Sequence, residues 1–263
     1  MLNKLLKYDL KYMIKNMSVF YILALFFAIT TRIFFSLKET VVINIIGQIS
    51  VGCMFSMVAS ILINTMMRSW VRFRDSIYKD EAYLTHTLPV TKSDIYTSKF
   101  IQALVFFIVG FVIMLLSIFI TYYTHDRWLL LKNYVNSITT GLNFNTTLFV
   151  ISFIGVVFLE VFNAIQCGFF GIIIGHKKNN YKIGLSILFG FIAYLVAQSL
   201  VLLLIFIVGI FNKSVMNLFT SNILIDTGVF KLVLLLTIII YIVIIVLMSM
   251  ICKRELNKGV NIE

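Results

Sequence analysis

The chain has almost no proline: Pro89 is the only one in 263 residues. Proline in a helix interior removes a hydrogen bond and clashes with the preceding turn, so nearly every other segment is free to run as an unbroken helix. Cysteine is also scarce. Cys53, Cys167 and Cys252 are odd in number, form no CxxC pair, and fall in apolar blocks or at a block's end. That excludes a disulfide framework and a zinc site and leaves small apolar packing residues. Charge is scarce too, at 13% of residues, where a soluble domain carries about 25%. With 60% hydrophobic residues, the composition excludes an ordinary soluble chain.

Phosphate-binding and catalytic signatures are missing as well. A P-loop needs a glycine-rich turn ending in Lys and Ser or Thr to hold phosphates on backbone N–H groups. The nearest string, "GIIIGHKK" from Gly171 to Lys178, has the wrong spacing and no hydroxyl. No HExxH or GxSxG motif occurs, and no clustered acid pair of a catalytic kind. His86, His125 and His176 are far apart and are read as surface residues. Nucleophile, base or metal ligands clustered at membrane depth, which an enzyme would need, are not seen.

What is present is apolar sequence in blocks of 20 residues or more, long enough to cross roughly 30 Å of hydrocarbon. Six blocks lie near 18–37, 41–67, 100–122, 147–175, 183–210 and 230–252. Ahead of them, "MLNKLLKYDLKYMIKNM" (1–17) places Leu and Met at helical spacing with Lys4, Lys7, Lys11 and Lys15 between. This predicts a basic amphipathic helix lying on the membrane surface. Its charged region is too long for a cleavable signal peptide.

An even number of spans puts both termini on one side. Lys and Arg number 16 on that side and six on the other. The positive-inside rule then predicts cytoplasmic termini. It also accounts for the net charge of +11 without invoking nucleic acid. Of the external segments, 124–147 predicts a short surface helix, and 211–230 is apolar enough to dip back into the bilayer. The Ile, Lys and Asn content resembles that of AT-rich bacterial genomes. The expected fold is a single all-α transmembrane domain over 1–263, in a bacterial plasma membrane.

The cytoplasmic segment 68–99 carries most of the information. In "RSWVRFRDSIYKDEAYLTH" (68–86), Trp70, Phe73, Ile77 and Leu84 share a helical stripe. Arg68, Arg72, Arg74, Asp75, Lys79, Asp80 and Glu81 occupy the rest. Mixed charge fits a face that touches protein better than one that touches lipid; the bland alternative is a solvated loop. Pro89 disfavours helix at Leu88. Thr91 with Asp94 three residues on reads as a helix cap. The segment is expected to be a helix, a break at Pro89, and a capped helix entering the third span through Lys99.

These features together resemble the type-2 permeases of the ATP-binding-cassette exporters. The motif is "LPVTKSDIYTSKF": Leu88, Pro89, Val90, Thr91, Lys92, Ile95 and Lys99 match the family's Leu-Pro, basic and apolar positions leading into span three. The resemblance covers the whole chain in topology. It implies that 1–17 is an elbow helix and that 68–86 couples to a separate ATPase. The coupling residues would be Arg68, Trp70, Arg72, Phe73, Asp75, Ile77, Tyr78, Lys79, Glu81 and Pro89. A smaller contact would form at His176, Lys177 and Lys178. Two ATPase subunits would supply ATP and Mg, and a second permease, identical or sibling, would complete the path. Related small permeases export amphipathic peptides, which makes a hydrophobic or amphipathic peptide the expected cargo; drugs, lipids, an ion-gradient-driven carrier and a structural or assembly protein remain the alternatives.

Inside the blocks, Glu160 is the only acid well away from an end. A charge at a helix centre costs roughly 2.5–3.5 kcal/mol on insertion scales, so it should face protein or water. It either lines a transport route or ties helices together through Asn163, Gln166 or Gln198. Asn44, Gln48, Asn64 and Gln102 admit the same two readings. Arg32 is placed to snorkel outward. Gly168, Gly171 and Gly175 predict close helix packing.

Overall fold

The computed structural model describes residues 2–37, 40–79, 81–141, 145–178, 180–212, 215–216 and 227–259. Eight helices are described: α1 Leu2–Ser36, α2 Val41–Tyr78, α3 Glu81–Thr87, α4 Lys92–Tyr122, α5 His125–Gly141, α6 Thr146–Gly175, α7 Lys182–Phe211 and α8 Thr227–Asn257. Six of them, all but α3 and α5, are long and apolar enough to cross a membrane. The all-helical architecture fits a multi-pass membrane protein, as the composition predicts. The chain divides into two compact units, residues 1–128 and 129–261.

In the first unit α1 packs on α2 and α4, and α2 also meets α4 and α3. The contacts follow stripes of small and apolar residues. On α1, Met13, Met17, Ala24 and Ala28 are fully buried. On α2 the buried line runs Gly47, Ser50, Met54, Val58, Ile61, Thr65, Ser69 and Phe73, at steps of three and four. Hydroxyls on these stripes are satisfied locally: Thr65 donates to the Ile61 carbonyl at 2.7 Å and Ser69 to the Thr65 carbonyl at 2.7 Å. Thr31 reaches across helices to Ser50 at 2.9 Å. An apolar surround leaves such groups no water to bond, so internal partners are required.

Two expectations change here. The surface helix of 1–17 is not a separate element; α1 runs unbroken from Leu2 to Ser36. No glycine or proline interrupts it, and the side chains able to start a new helix bond backward into the existing one. Asn16 donates to the Tyr12 carbonyl at 3.0 Å and Ser18 to the Lys15 carbonyl at 3.4 Å. The single helix expected over 68–86 is instead two pieces. Residues 68–78 are the last turns of α2, and Lys79 leaves helical geometry at φ −102°, ψ −161°. The short α3 follows.

In the second unit α6 packs on both α7 and α8, and α7 meets α8. The α6–α7 approach depends on glycine. A Cβ on Gly171 would lie 2.3 Å from the Ser186 carbonyl oxygen and 2.5 Å from the Gly190 nitrogen. One on Gly175 would lie 2.5 Å from the Ser186 nitrogen. The glycine stripe is therefore a packing seam, as its spacing predicts. Tyr181 opens α7 at φ 53°, in the left-handed region, where a non-glycine residue is strained. An apolar core of Ala197, Val201, Ile205, Ile240 and Ile244 joins α7 to α8.

Helix α5 lies where the 124–147 segment predicts a helix. Most of 211–230, read as a segment able to re-enter the bilayer, lies outside the described residues.

Candidate functional site

Two groups of polar side chains stand out, one in each unit. The first joins α1, α2, α3 and α4. Asp9 is fully buried although it comes from a lysine-rich helix. Its Oδ1 receives Lys99 Nζ at 2.5 Å and Arg72 Nε at 3.2 Å, and its Oδ2 receives Ser98 Oγ at 3.0 Å. Arg72 reaches on to α3, where its guanidinium donates to Glu81 Oε2 at 2.5 Å. Its Cζ also lies 4.5 Å from the centre of the Tyr12 ring. The set holds two acids and two bases, so its formal charge balances. That balance matters because a lone buried charge costs several kcal/mol after relaxation, and paired and hydrogen-bonded charges offset it.

Aromatic packing fixes the frame around this network. Phe73 on α2 meets Tyr96 on α4 edge-on with ring centres 6.1 Å apart, and Tyr96 stacks on Phe100 at 6.1 Å. Past the break, His86 Nε2 contacts the Ile77 carbonyl at 3.1 Å, folding α3 back on the end of α2. Pro89 is exposed in the bend after α3. Thr91 then caps α4, its Oγ1 accepting from the Asp94 N–H at 3.1 Å and donating to Asp94 Oδ2 at 2.8 Å. The cap is the one that the Thr91–Asp94 spacing predicts.

The second group lies at mid-length of α6, α7 and α8. Tyr194 donates to Glu160 Oε1 at 3.4 Å, and Tyr241 donates to Gln198 Oε1 at 3.0 Å. Asn163 is fully buried and accepts a weak contact from Cys167 Sγ at 3.9 Å. Gln166 donates to the Ile245 carbonyl at 2.8 Å. The buried amide nitrogens of Asn163 and Gln198 have no hydrogen-bond acceptor.

No protein-family model, curated protein or solved structure matches this chain. The site is therefore read from its own geometry.

That geometry redistributes the residues expected to meet an ATPase. Phe73, Ile77 and Tyr78 are at most 2% exposed, so they serve the core of the first unit and offer no docking face. They point inward because α2 continues through them and keeps its buried stripe. Trp70 is half-buried. Arg72 belongs to the Asp9 network. Arg68 lies over Phe20, with Cζ 5.8 Å from the ring centre. Asp75 pairs with Arg74 at 2.9 Å and more loosely with Lys79 at 3.9 Å. The exposed apolar groups of this segment are instead Val71 on α2 and, in and just after α3, the more exposed Tyr83, Leu84 and Leu88. Of these only Leu84 stands on the predicted stripe.

The smaller contact divides likewise. His176, expected at the surface, is fully buried, and its Nδ1 contacts the Ile172 carbonyl at 2.8 Å and Ser186 Oγ at 3.2 Å. The tight α6–α7 seam encloses the ring. Lys177 is exposed and pairs with Glu255 of α8, and Lys178 is exposed. His86 is half-buried, and the side chain of His125 lies outside the described residues.

The intramembrane candidates also separate. Asn44 and Gln48 are exposed on α2. Asn64 donates to the Ser60 carbonyl at 2.9 Å within its own helix. Gln102 is buried with no partner for its Oε1. Only Glu160 joins a polar group spanning three helices.

Sequence reading missed Asp9, and a signal for it existed. It is the one acid among residues 1–17, four residues before Met13 on the stripe that carries Met13 and Met17. Tyr194 and Tyr241 were missed as well, because tyrosine in an apolar block carries no pattern of its own.

Proposed function

We propose that this chain is the membrane subunit of an ATP-driven exporter, worked by a separate ATPase that docks at α3. One observation carries the reading: the charge bridge from Glu81 through Arg72 to Asp9 and Lys99. It links a short helix, too short to span a membrane, to three helices long enough to do so. A push on α3 would be passed directly to α1, α2 and α4. The chain itself has no P-loop, so the energy would come from a partner bearing one.

The docking surface on this reading is Tyr83, Leu84, Leu88 and Pro89, lying on the cytoplasmic side with both termini. Two copies of the chain, or this chain and a sibling, would enclose the path. The cargo favoured by the apolar helices is a hydrophobic or amphipathic peptide.

Gentle extraction of the tagged protein from its native membrane tests this. A stoichiometric P-loop ATPase that co-purifies with wild type, and is lost in Leu84→Asp/Leu88→Asp, supports the reading. A lone chain with no ATP hydrolysis, under conditions that preserve other such complexes, overturns it. Transport driven by an ion gradient would then take its place, with Glu160 as its first residue to test.

A further inference from the structure

We infer that the polar group at the centre of the second unit is a binding site for the amino terminus of a peptide. This rests on the exporter reading for the source of the peptide, but its chemistry comes from the residues alone. Glu160 is residue 15 of the 30 in α6, Tyr194 and Gln198 are residues 13 and 17 of the 30 in α7, and Tyr241 is residue 15 of the 31 in α8. Three apolar helices thus each place polar side chains at their own midpoints. At 1.5 Å per residue, that is about 20 Å from either helix end.

The group is incomplete in two complementary ways. Glu160 has a single weak hydrogen bond, from Tyr194, and no cation beside it among the described residues. The basic residues of α6, α7, α8 and the turn between α6 and α7 (Lys177, Lys178, Lys182, Lys231, Lys253, Arg254) all lie near helix ends. Beside this unmatched acid stand two unmatched donors, the amide nitrogens of Asn163 and Gln198. A buried donor left unbonded is destabilising, and a carboxylate at this depth is more so. The site therefore asks for one positive charge and, next to it, one or two acceptor lone pairs.

A bare metal cation satisfies the acid but offers the two amide N–H groups no acceptor. A free carboxylate or phosphate satisfies the amides and is repelled by Glu160. The first residue of a peptide carries an ammonium group and a carbonyl oxygen on neighbouring atoms. It would place its ammonium on Glu160 and its carbonyl toward Asn163 and Gln198. Glu160, Tyr194 and Gln198 are half-buried, whereas Asn163 and Tyr241 are buried. Glu160 is thus in the more open part of the site and Asn163 at its floor.

The test uses the purified full-length chain in zwitterionic nanodiscs, without any ATPase. The probe is an amphipathic helical peptide, fluorescently labelled at its carboxyl end, with either a free or an acetylated amino terminus. Acetylation removes the charge and keeps the first carbonyl. Signal from empty discs is subtracted. The free-amine peptide should bind roughly tenfold or more tightly than its acetylated twin, the factor a charged hydrogen bond supplies. Glu160→Gln should abolish that preference while leaving the acetylated peptide within about twofold of wild type, and Gln198→Leu should weaken both peptides and keep the preference. Equal affinity of the twins for wild type overturns the inference, and that comparison needs no variant to fold. A preference that survives in Glu160→Gln also overturns it. Either failure leaves the ATPase co-purification result untouched, so the two readings fail separately.

Discussion

A single carboxylate decides how the first unit holds together. Asp9 is the one acceptor for Lys99 among the described residues, and it shares Arg72 with Glu81. Replacing Asp9 with Ala leaves Lys99 enclosed without its counter-charge, and breaking a buried pair in this way typically costs about 3–5 kcal/mol. Lys99→Met is expected to cost less, because Arg72 still reaches Asp9. Restoring neutrality by combining Asp9→Ala with Lys99→Met should recover much of the loss. Unfolding of the wild type and these three variants in mixed micelles gives the coupling energy directly. Additive losses would mean that the two side chains do not depend on each other.

At the scale of the element, two features separate packing from motion. The α6–α7 seam has no room for a side chain at Gly171. Gly171→Ala drives a methyl against backbone atoms of α7 and should lower stability by about 1–3 kcal/mol or more, as overpacking does. Gly190→Ala, whose Cβ would meet its neighbours at 3.4 Å or more, should be nearly neutral. Comparing their melting temperatures checks the seam. Helix α3, in contrast, is held by Arg72–Glu81 and by His86 on the Ile77 carbonyl. Glu81→Gln should loosen α3 alone, read as faster amide exchange over 81–87 with α2 and α4 unchanged. The long helices were legible from their apolar blocks, and the α4 cap from Thr91 and Asp94, because those signals are local. The end of α2 was not. Trp70, Phe73 and Ile77 fit an amphipathic surface helix and a buried continuation equally well, and tertiary packing of Phe73 on Tyr96 chose the latter. The Asp9–Lys99 pair joins residues 90 apart, a separation that no helical period reports.

At the scale of the whole molecule, the function proposed depends on which side of the membrane α3 faces. The positive-inside rule counts Lys and Arg near span ends, and from the 16-to-six distribution it predicts that α3 and both termini face the cytoplasm. The structure supplies two sites at which this can be read. Tyr83 on α3 is 62% exposed and Tyr134 on α5 is 71% exposed, so the protein itself would enclose a cysteine at neither. The connectivity sets them apart: α4 runs between α3 and α5 and is long enough to cross the bilayer once. In a background with Cys53, Cys167 and Cys252 replaced, Tyr134→Cys should label with a membrane-impermeant maleimide in intact cells. Tyr83→Cys should label only after the membrane is opened. The reverse pattern would put α3 outside, beyond the reach of any ATP-hydrolysing partner, and the exporter proposal would fall with it. Labelling of both in intact cells would mean that α4 does not cross.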